Sequence, residues 1–183
     1  MPPDLEPDLD EALKRSSHPR LLTLDFLKVC SPRIRRAYEY WNGKRQGRLM
    51  PARADIQPLE IPDLLPDIVL TEVLAEPPFL RYRLVGTRQV RMRGFDPTGR
   101  AVRGHHIGHH LKDDTWNEVL LNYRVVIERR SFVYDCKHFY GPQDDQGSLL
   151  RGRLFERGTL LLPLSTDGER VDMVFCVIEA DEA

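Results

Sequence analysis

Recurring apolar positions predict two amphipathic helices in this chain. The first begins at Ser31-Pro32, a capping hydroxyl followed by a proline at the first helical position, and ends near Gly43. The second begins after residues 113–115, which offer capping side chains. The apolar positions are Ile34, Ala37, Tyr38 and Trp41 in the first helix, and Trp116, Val119, Leu120, Tyr123 and Ile127 in the second. A shorter helix is expected within residues 86–93.

Five strands are predicted from short apolar or alternating runs. Residues 68–74 and 80–85 are separated by a turn at Glu76-Pro-Pro78, which indicates a hairpin. Residues 131–140 alternate between two sides, and residues 154–164 continue an extended pattern. Residues 171–178 are apolar on both sides, which is typical of a central strand. The fold class is therefore α+β.

The first 30 residues differ from the rest of the chain. They open with prolines and acidic residues, and then place Leu5, Leu9, Ala12 and Leu13 at helical spacing. Residues 21–29 fit a strand or a helix equally well. We predict an N-terminal arm over residues 1–30, partly flexible or helical, and one domain over residues 31–183. The apolar stripe is too short to fold alone, so we expect the arm to support a homodimer or to bind another protein.

Composition narrows the functional classes. The formal net charge of −1 over 183 residues gives no general attraction to nucleic acid or to anionic lipid. The three cysteines are widely spaced and form no metal motif, which suits a reducing cytoplasm. No charged and apolar leader and no apolar run of membrane-spanning length is visible. We expect a soluble, cytoplasmic protein that binds neither nucleic acid nor membrane.

Several short motifs occur together in a fixed order. They are Trp41, Arg48-Leu-Met-Pro-Ala-Arg-Ala-Asp55, Pro58-Leu-Glu-Ile-Pro62, Leu65-Pro66, Tyr82-Arg-Leu-Val-Gly-Thr87, Gly94-Phe-Asp-Pro-Thr-Gly99 and Leu161-Leu-Pro-Leu-Ser165 with Asp167-Gly168. Each motif alone is weak, but their order is jointly specific. The chain resembles the short bacterial PAS-like family, formerly classed as a domain of unknown function, over about residues 34–178.

This resemblance implies a fold and a broad role. The fold is a five-stranded antiparallel sheet with helices covering one face and room for a small-molecule cavity between them. The role is a stand-alone sensory or protein-interaction module that signals to a partner in trans, with no catalytic residues and no shared ligand. The sequence identifies no cofactor, ligand, signal or partner.

A cavity between helix and sheet would have an aromatic lining. The candidate ligand-binding residues are Trp116, Tyr123, Phe132, Tyr134 and Cys136. The alternative is that these side chains simply fill the core. A pocket with converging polar groups would favour ligand binding, whereas a sealed core would exclude it.

Two other functions are open. A small enzyme could use Asp135 or His138 as acid or base in a cavity, although no catalytic constellation is recognisable. A metal could bind the histidine cluster, whose members are His105, His106, His109 and His110. Gly104 and Gly108 weaken a helix there, so we interpret the cluster as a polar surface loop and predict no metal essential to the fold.

Arginines crowd the segment around the predicted short helix. They are Arg81, Arg83, Arg88, Arg91, Arg93, Arg100 and Arg103. Together they could bind a phosphate, a nucleotide or an acidic partner. Because they need not share one face, we favour solvated or ion-paired arginines.

Overall fold

The computed structural model describes residues 8–77, 79–102, 113–136 and 154–182. The α-helices are α1 (Leu9–Arg15), α2 (Pro32–Lys44), α3 (Thr87–Arg93) and α4 (Asp113–Arg129). The strands are β1 (Arg20–Leu21), β2 (Ile68–Val73), β3 (Leu80–Val85), β4 (Val133–Asp135), β5 (Leu154–Leu164) and β6 (Met173–Glu182). Short 3₁₀ turns occupy Leu24–Lys28, Arg53–Asp55, Pro58–Glu60 and Leu65–Asp67.

The strands form one sheet in the order β1-β4-β5-β6-β2-β3, and every paired neighbour is antiparallel. The predicted helices are confirmed, and so is the central position of β6 between β5 and β2. The predicted strand count of five is corrected to six. The additional strand, β1, comes from the arm and has only two residues. Its local pattern could not identify it, because pairing with β4 is what makes it a strand.

One face of the sheet packs against α2. The helix begins as predicted, since the Ser31 hydroxyl accepts a hydrogen bond from the Ile34 N–H at 3.2 Å. Apolar residues of β5 and β6 meet the buried face of the helix: Ile34, Ala37, Tyr38 and Trp41 contact the cluster of Leu160, Leu162, Leu164, Phe175 and Val177. Phe26 of the arm is 0 % exposed in the same cluster. This layer is an apolar core.

The other face of the sheet packs against α3 and α4, and α1 packs on α4. Strand side chains alternate between the faces, so Val133 and Leu161 belong to this second cluster while Tyr134 and Leu160 belong to the first. Helix α4 contributes Leu120, Leu121, Tyr123, Val125 and Val126 to the second cluster. Helices cover this face as expected from the family resemblance, and α2 adds a further layer on the opposite side.

A buried carboxylate connects the two layers. Asp67 is 0 % exposed and lies in the 3₁₀ turn before β2. It accepts hydrogen bonds from Arg33 of α2 at 2.9 Å and from Arg88 of α3 at 2.7 Å. Gly86, which precedes α3, has no space for a side chain because a Cβ there would collide with the carbonyl oxygens of the same turn. The turn therefore fixes α3 relative to α2.

Candidate functional site

A cavity lies between α4 and the sheet. The centre of a water-sized sphere can occupy about 50 Å³ of it. Its walls come from α3, α4 and five strands: Val69, Tyr82, Arg93, Val119, Asn122, Tyr123, Asp135, Thr159, Leu161, Cys176 and Ile178. Val119, Asn122 and Tyr123 share one face of α4 because they are three and four residues apart. The lining is apolar with a few polar groups, which is typical of a small-molecule site.

Asp135 marks the β4 end of this cavity. Its side chain is 4 % exposed. The two carboxylate oxygens lie 2.8 and 2.7 Å from Nε2 of His18, and one of them accepts a hydrogen bond from Asn122 Nδ2 at 2.6 Å. The carboxylate oxygens accept a hydrogen bond from this ring nitrogen in the tautomer that carries its proton on Nε2. His18 is also buried, with 1 % of its side chain exposed.

The arm reaches α4 through a short polar row in an extended segment. Ser16, His18 and Arg20 are spaced two residues apart. In an extended backbone, every second side chain points to the same side, so these three side chains form one row. The Ser16 hydroxyl donates to Glu118 at 2.7 Å, and Arg20 forms an ion pair with the same carboxylate. Asp10 of α1 pairs with Arg129 near the end of α4. The arm is therefore attached both to the wall of the cavity and to its helix.

Two buried tyrosines contribute hydroxyls. The Tyr123 hydroxyl lies 3.0 Å from the Thr71 hydroxyl and 3.7 Å from Cys176 Sγ. Burial raises the pKa of Tyr123 well above its ordinary value. Burial also raises the pKa of Tyr82 to about 12, and the nearby Arg93 guanidinium opposes that shift. Both hydroxyls are protonated at neutral pH, so both can donate hydrogen bonds.

Arg93 brings a positive charge to the cavity wall. The residue is 8 % exposed. Its Nη1 donates to the side-chain oxygen of Gln89 at 2.8 Å and to the backbone oxygen of Gln89 at 3.1 Å. Gln89 is 0 % exposed, and its amide nitrogen donates to the Ile178 carbonyl at 3.2 Å. The guanidinium is thus held in place by a neutral amide that is itself anchored on β6.

Comparison with known families agrees with this architecture. A family described as PAS domain matches residues 29–178. The chain belongs to the PAS domain family. PAS domains are sensory and protein-interaction modules, and they are typically not enzymes. No curated protein and no solved structure matches the chain. Within the described residues, no helix of this PAS domain is long and apolar enough to cross a membrane.

The structure divides the five candidate ligand-binding residues between the two faces of the sheet. Tyr123 lines the cavity, and Trp116 is partly buried against the same cluster. Tyr134, Phe132 and Cys136 pack on the opposite face, in the cluster under α2. The division arises because α4 and α2 cover different faces of the sheet. Side chains on the α2 side of β4 cannot reach α4. A ligand-binding role for these five residues stays a prediction.

Sequence reasoning did not assign three polar side chains to this cavity. Arg93 and Asn122 line it, and His18 contacts Asp135 from the arm. The alternation of Ser16, His18 and Arg20 around Pro19 is a signal for an extended polar row, but its contacts lie 98 to 117 residues away in sequence. Asn122 lies within the helix stripe and resembles an ordinary polar position. Arg93 was indistinguishable from its exposed neighbours.

The alternative chemistries fall partly outside the described residues. His138 and the cluster formed by residues 105–110 lie there. Asp135 does line the cavity, where its described histidine partner is His18. Among the described residues, no group of three or more His, Cys, Asp or Glu side chains is placed to hold a metal ion.

Proposed function

We propose that this PAS domain binds a small molecule in the α4 cavity and signals through its N-terminal arm to a protein partner. The observation that carries the proposal is the contact of His18 with Asp135. One carboxylate both lines the cavity and anchors the arm. A molecule that changes the position or hydrogen bonding of Asp135 therefore acts directly on the arm.

Asn122 supplies the second part of this coupling. Its amide nitrogen donates to Asp135, while its Oδ1 is buried and has no hydrogen-bond partner among the described residues. A buried acceptor without a partner costs free energy, so a ligand that donates to Oδ1 gains that free energy back. Turning the amide toward such a ligand would weaken its bond to Asp135. Ligand binding and arm docking then shift the populations of two states.

The released arm would present an apolar surface. Leu9 is 8 % exposed, and Ala12 and Leu13 pack partly buried against the α4 cluster. A seven-residue helix is unstable alone in water, so a freed α1 needs a new surface. We propose a second copy of the chain as that surface, which gives a homodimer, with a different protein as the alternative partner.

The thiols support a proposal about the cellular setting. Cys30, Cys136 and Cys176 form no disulfide within the described residues, and burial raises the pKa of the first two. Raised thiol pKa values disfavour the reactive thiolate. We propose that the protein works in the reducing cytoplasm.

Hydrogen exchange on the full chain tests the coupling. His18→Ala should raise amide exchange in residues 9–23 by at least tenfold, because the arm loses its buried anchor, while β5 and β6 keep their protection. Lys14→Ala is the matched control, since Lys14 lies in the same arm and its ion pair with Glu11 is exposed. Light scattering of the same samples should show a larger mass for His18→Ala, because the released arm would pair with a second copy of the chain. Unchanged exchange in the arm would show that it is held independently of the cavity.

A further inference from the structure

We infer that the molecule held in the α4 cavity is a small organic acid with an apolar body, whose carboxylate is bound by Arg93. This inference rests on the proposed function, because it names the chemical class of the occupant. The main observation behind it is that a buried guanidinium lies at the wall of an apolar cavity.

The partners of Arg93 are neutral. Its Nη1 donates both of its hydrogen bonds to Gln89, and the Tyr82 hydroxyl is a further neutral partner of the side chain. No carboxylate among the described residues forms an ion pair with the guanidinium. Its Nε is buried and has no hydrogen-bond partner within the same residues. A buried charge is unfavourable unless it is paired and hydrogen-bonded. The site therefore lacks an anion that would satisfy it.

Other buried arginines of the chain show the usual solution. Arg20 and Arg124 have side chains only 6 % and 5 % exposed, and they form ion pairs with Glu118 and Glu128. Arg88, which lies in the same helix as Arg93, pairs with Asp67. Arg93 departs from this pattern, and it is the α3 residue that lines the α4 cavity. We attribute the missing counter-charge to the ligand.

The rest of the wall fits the apolar body of such an acid. Val69, Val119, Leu161 and Ile178 supply aliphatic surface. The cavity offers about 50 Å³ to the centre of a water-sized sphere, so the body of the acid must be small. The protonated Tyr82 hydroxyl beside Arg93 is a further donor for a carboxylate.

Asp135 sets the orientation of the acid. Asp135, Thr159 and Ile178 are register partners across β4, β5 and β6, so this row places two strand spacings, roughly 10 Å, between Asp135 and the Ile178 backbone that anchors Gln89. The Asp135 carboxylate would repel a second carboxylate, although His18 and Asn122 already occupy its oxygens. The ligand carboxylate therefore belongs at the Arg93 end, with the apolar body extending toward α4 and β5.

Matched neutral and charged probes test this inference on the wild-type chain. Benzoate and butyrate should bind by calorimetry and raise the melting temperature, whereas benzamide and butyramide, which have nearly the same shape, should bind at least tenfold more weakly. A guanidinium binds a carboxylate through charge-assisted hydrogen bonds that a neutral amide cannot replace. Equal binding of acids and amides would overturn the inference.

Variants locate the binding charge. Arg93→Gln should lower benzoate affinity at least tenfold, and Arg93→Lys should retain part of it because the positive charge remains. Arg83→Gln is the control, because Arg83 lies on β3 with its side chain 67 % exposed. Circular dichroism checks that each variant is folded. If Arg93→Gln fails to fold, the wild-type comparison of acid with amide still decides. Unchanged benzoate affinity in folded Arg93→Gln would contradict the assignment.

The remaining outcomes separate the class of ligand from the sensing role. Binding of inorganic phosphate without binding of the organic acids would show a bare anion site and overturn the inference. Binding of amides accompanied by faster exchange in residues 9–23 would overturn it as well, but would leave the proposed function standing. Benzoate binding that needs Arg93 and leaves arm exchange unchanged would support the ligand class and contradict the signalling route.

Discussion

The two faces of the sheet are both buried, yet they bury different chemistry. Under α2, the core is built mainly from aliphatic and aromatic side chains, and the Phe26 ring contacts Tyr38, Phe132 and Tyr134 in edge-on or tilted arrangements at centroid distances of 5.3, 5.2 and 5.4 Å. Under α4, the core also contains Asn122 and Asp135, together with Arg93 at the cavity. The first face has the composition of a structural core, and the second that of a binding site.

This difference indicates how stability and recognition are divided. Apolar burial stabilises the fold by roughly 25 cal/mol per Å², whereas buried polar groups contribute little and are unfavourable without partners. The α4 face keeps buried atoms of Asn122 and Arg93 that lack partners among the described residues. We therefore expect substitutions on the α2 face to affect mainly folding, and those on the α4 face to affect mainly ligand and arm.

Trp41→Ala should produce the largest loss of stability. Trp41 is 3 % exposed, and its indole N–H donates to the Pro163 carbonyl at 2.9 Å. Truncation should lower the free energy of unfolding by about 3–5 kcal/mol, measured by denaturant titration. Trp116→Ala is the comparison on the α4 side and should cost roughly 1–3 kcal/mol, because Trp116 is only partly buried. A greater loss for Trp116→Ala would reverse the assigned roles of the two faces.

Asp67→Asn should produce the next largest loss of stability, because it breaks the connection between the two layers. The change leaves Arg33 and Arg88 without their shared carboxylate. Since the two arginine side chains are 35 % and 30 % exposed, we expect a loss of roughly 2–3 kcal/mol, below the value for fully buried pairs. Asp63→Asn is the control, since its pair with Arg36 is exposed and should be nearly neutral. Equal effects of both changes would show that Asp67 does not hold the layers together.

Tyr123→Phe should have a moderate effect on stability. It removes the hydroxyl that lies 3.0 Å from Thr71 and keeps the ring in place. The expected loss is about 1 kcal/mol, as for an ordinary buried hydrogen bond. Tyr40→Phe removes a partly exposed hydroxyl that donates to Glu60 and accepts from the Gln57 N–H. It should change the free energy of unfolding less, because water can replace these bonds. The prediction fails if thermal and urea denaturation rank the two changes in the opposite order.

Acid should have the smallest effect, through the turn between β5 and β6. Backbone N–H groups of Arg170 and Glu169 and the Ser165 hydroxyl lower the pKa of Asp167 from 3.8 to about 2. A lowered folded-state pKa stabilises the fold above the unfolded pKa, so this contribution should be lost as the pH falls from about 4 to about 2. Asp167→Asn should remove that part of the acid dependence. If the melting temperature falls with pH at the same rate in both proteins, the prediction is wrong.

Local pattern accounts for most of the fold. The helix from Ser31 was predictable because a capping hydroxyl, a proline and four apolar positions all agree. The central place of β6 was predictable because its side chains are apolar on both faces, as two covered faces require. The ordered motifs predicted the family, which the family comparison confirms. In the first two cases the decisive interactions lie within one element or its immediate neighbours, and in the third the order of the motifs along the chain decides.

The site depended on contacts between distant segments. Sequence determined that Asp135 lies on one side of β4, but tertiary structure decided which helix covers that side and brought His18 to it from the arm. From the sequence, Arg93 could not be distinguished from the paired arginines around it, because ion pairing depends on distances in space. Burial beside Gln89 and an apolar wall distinguishes this guanidinium, and those surroundings exist only after the sheet has brought α3, α4 and β6 together.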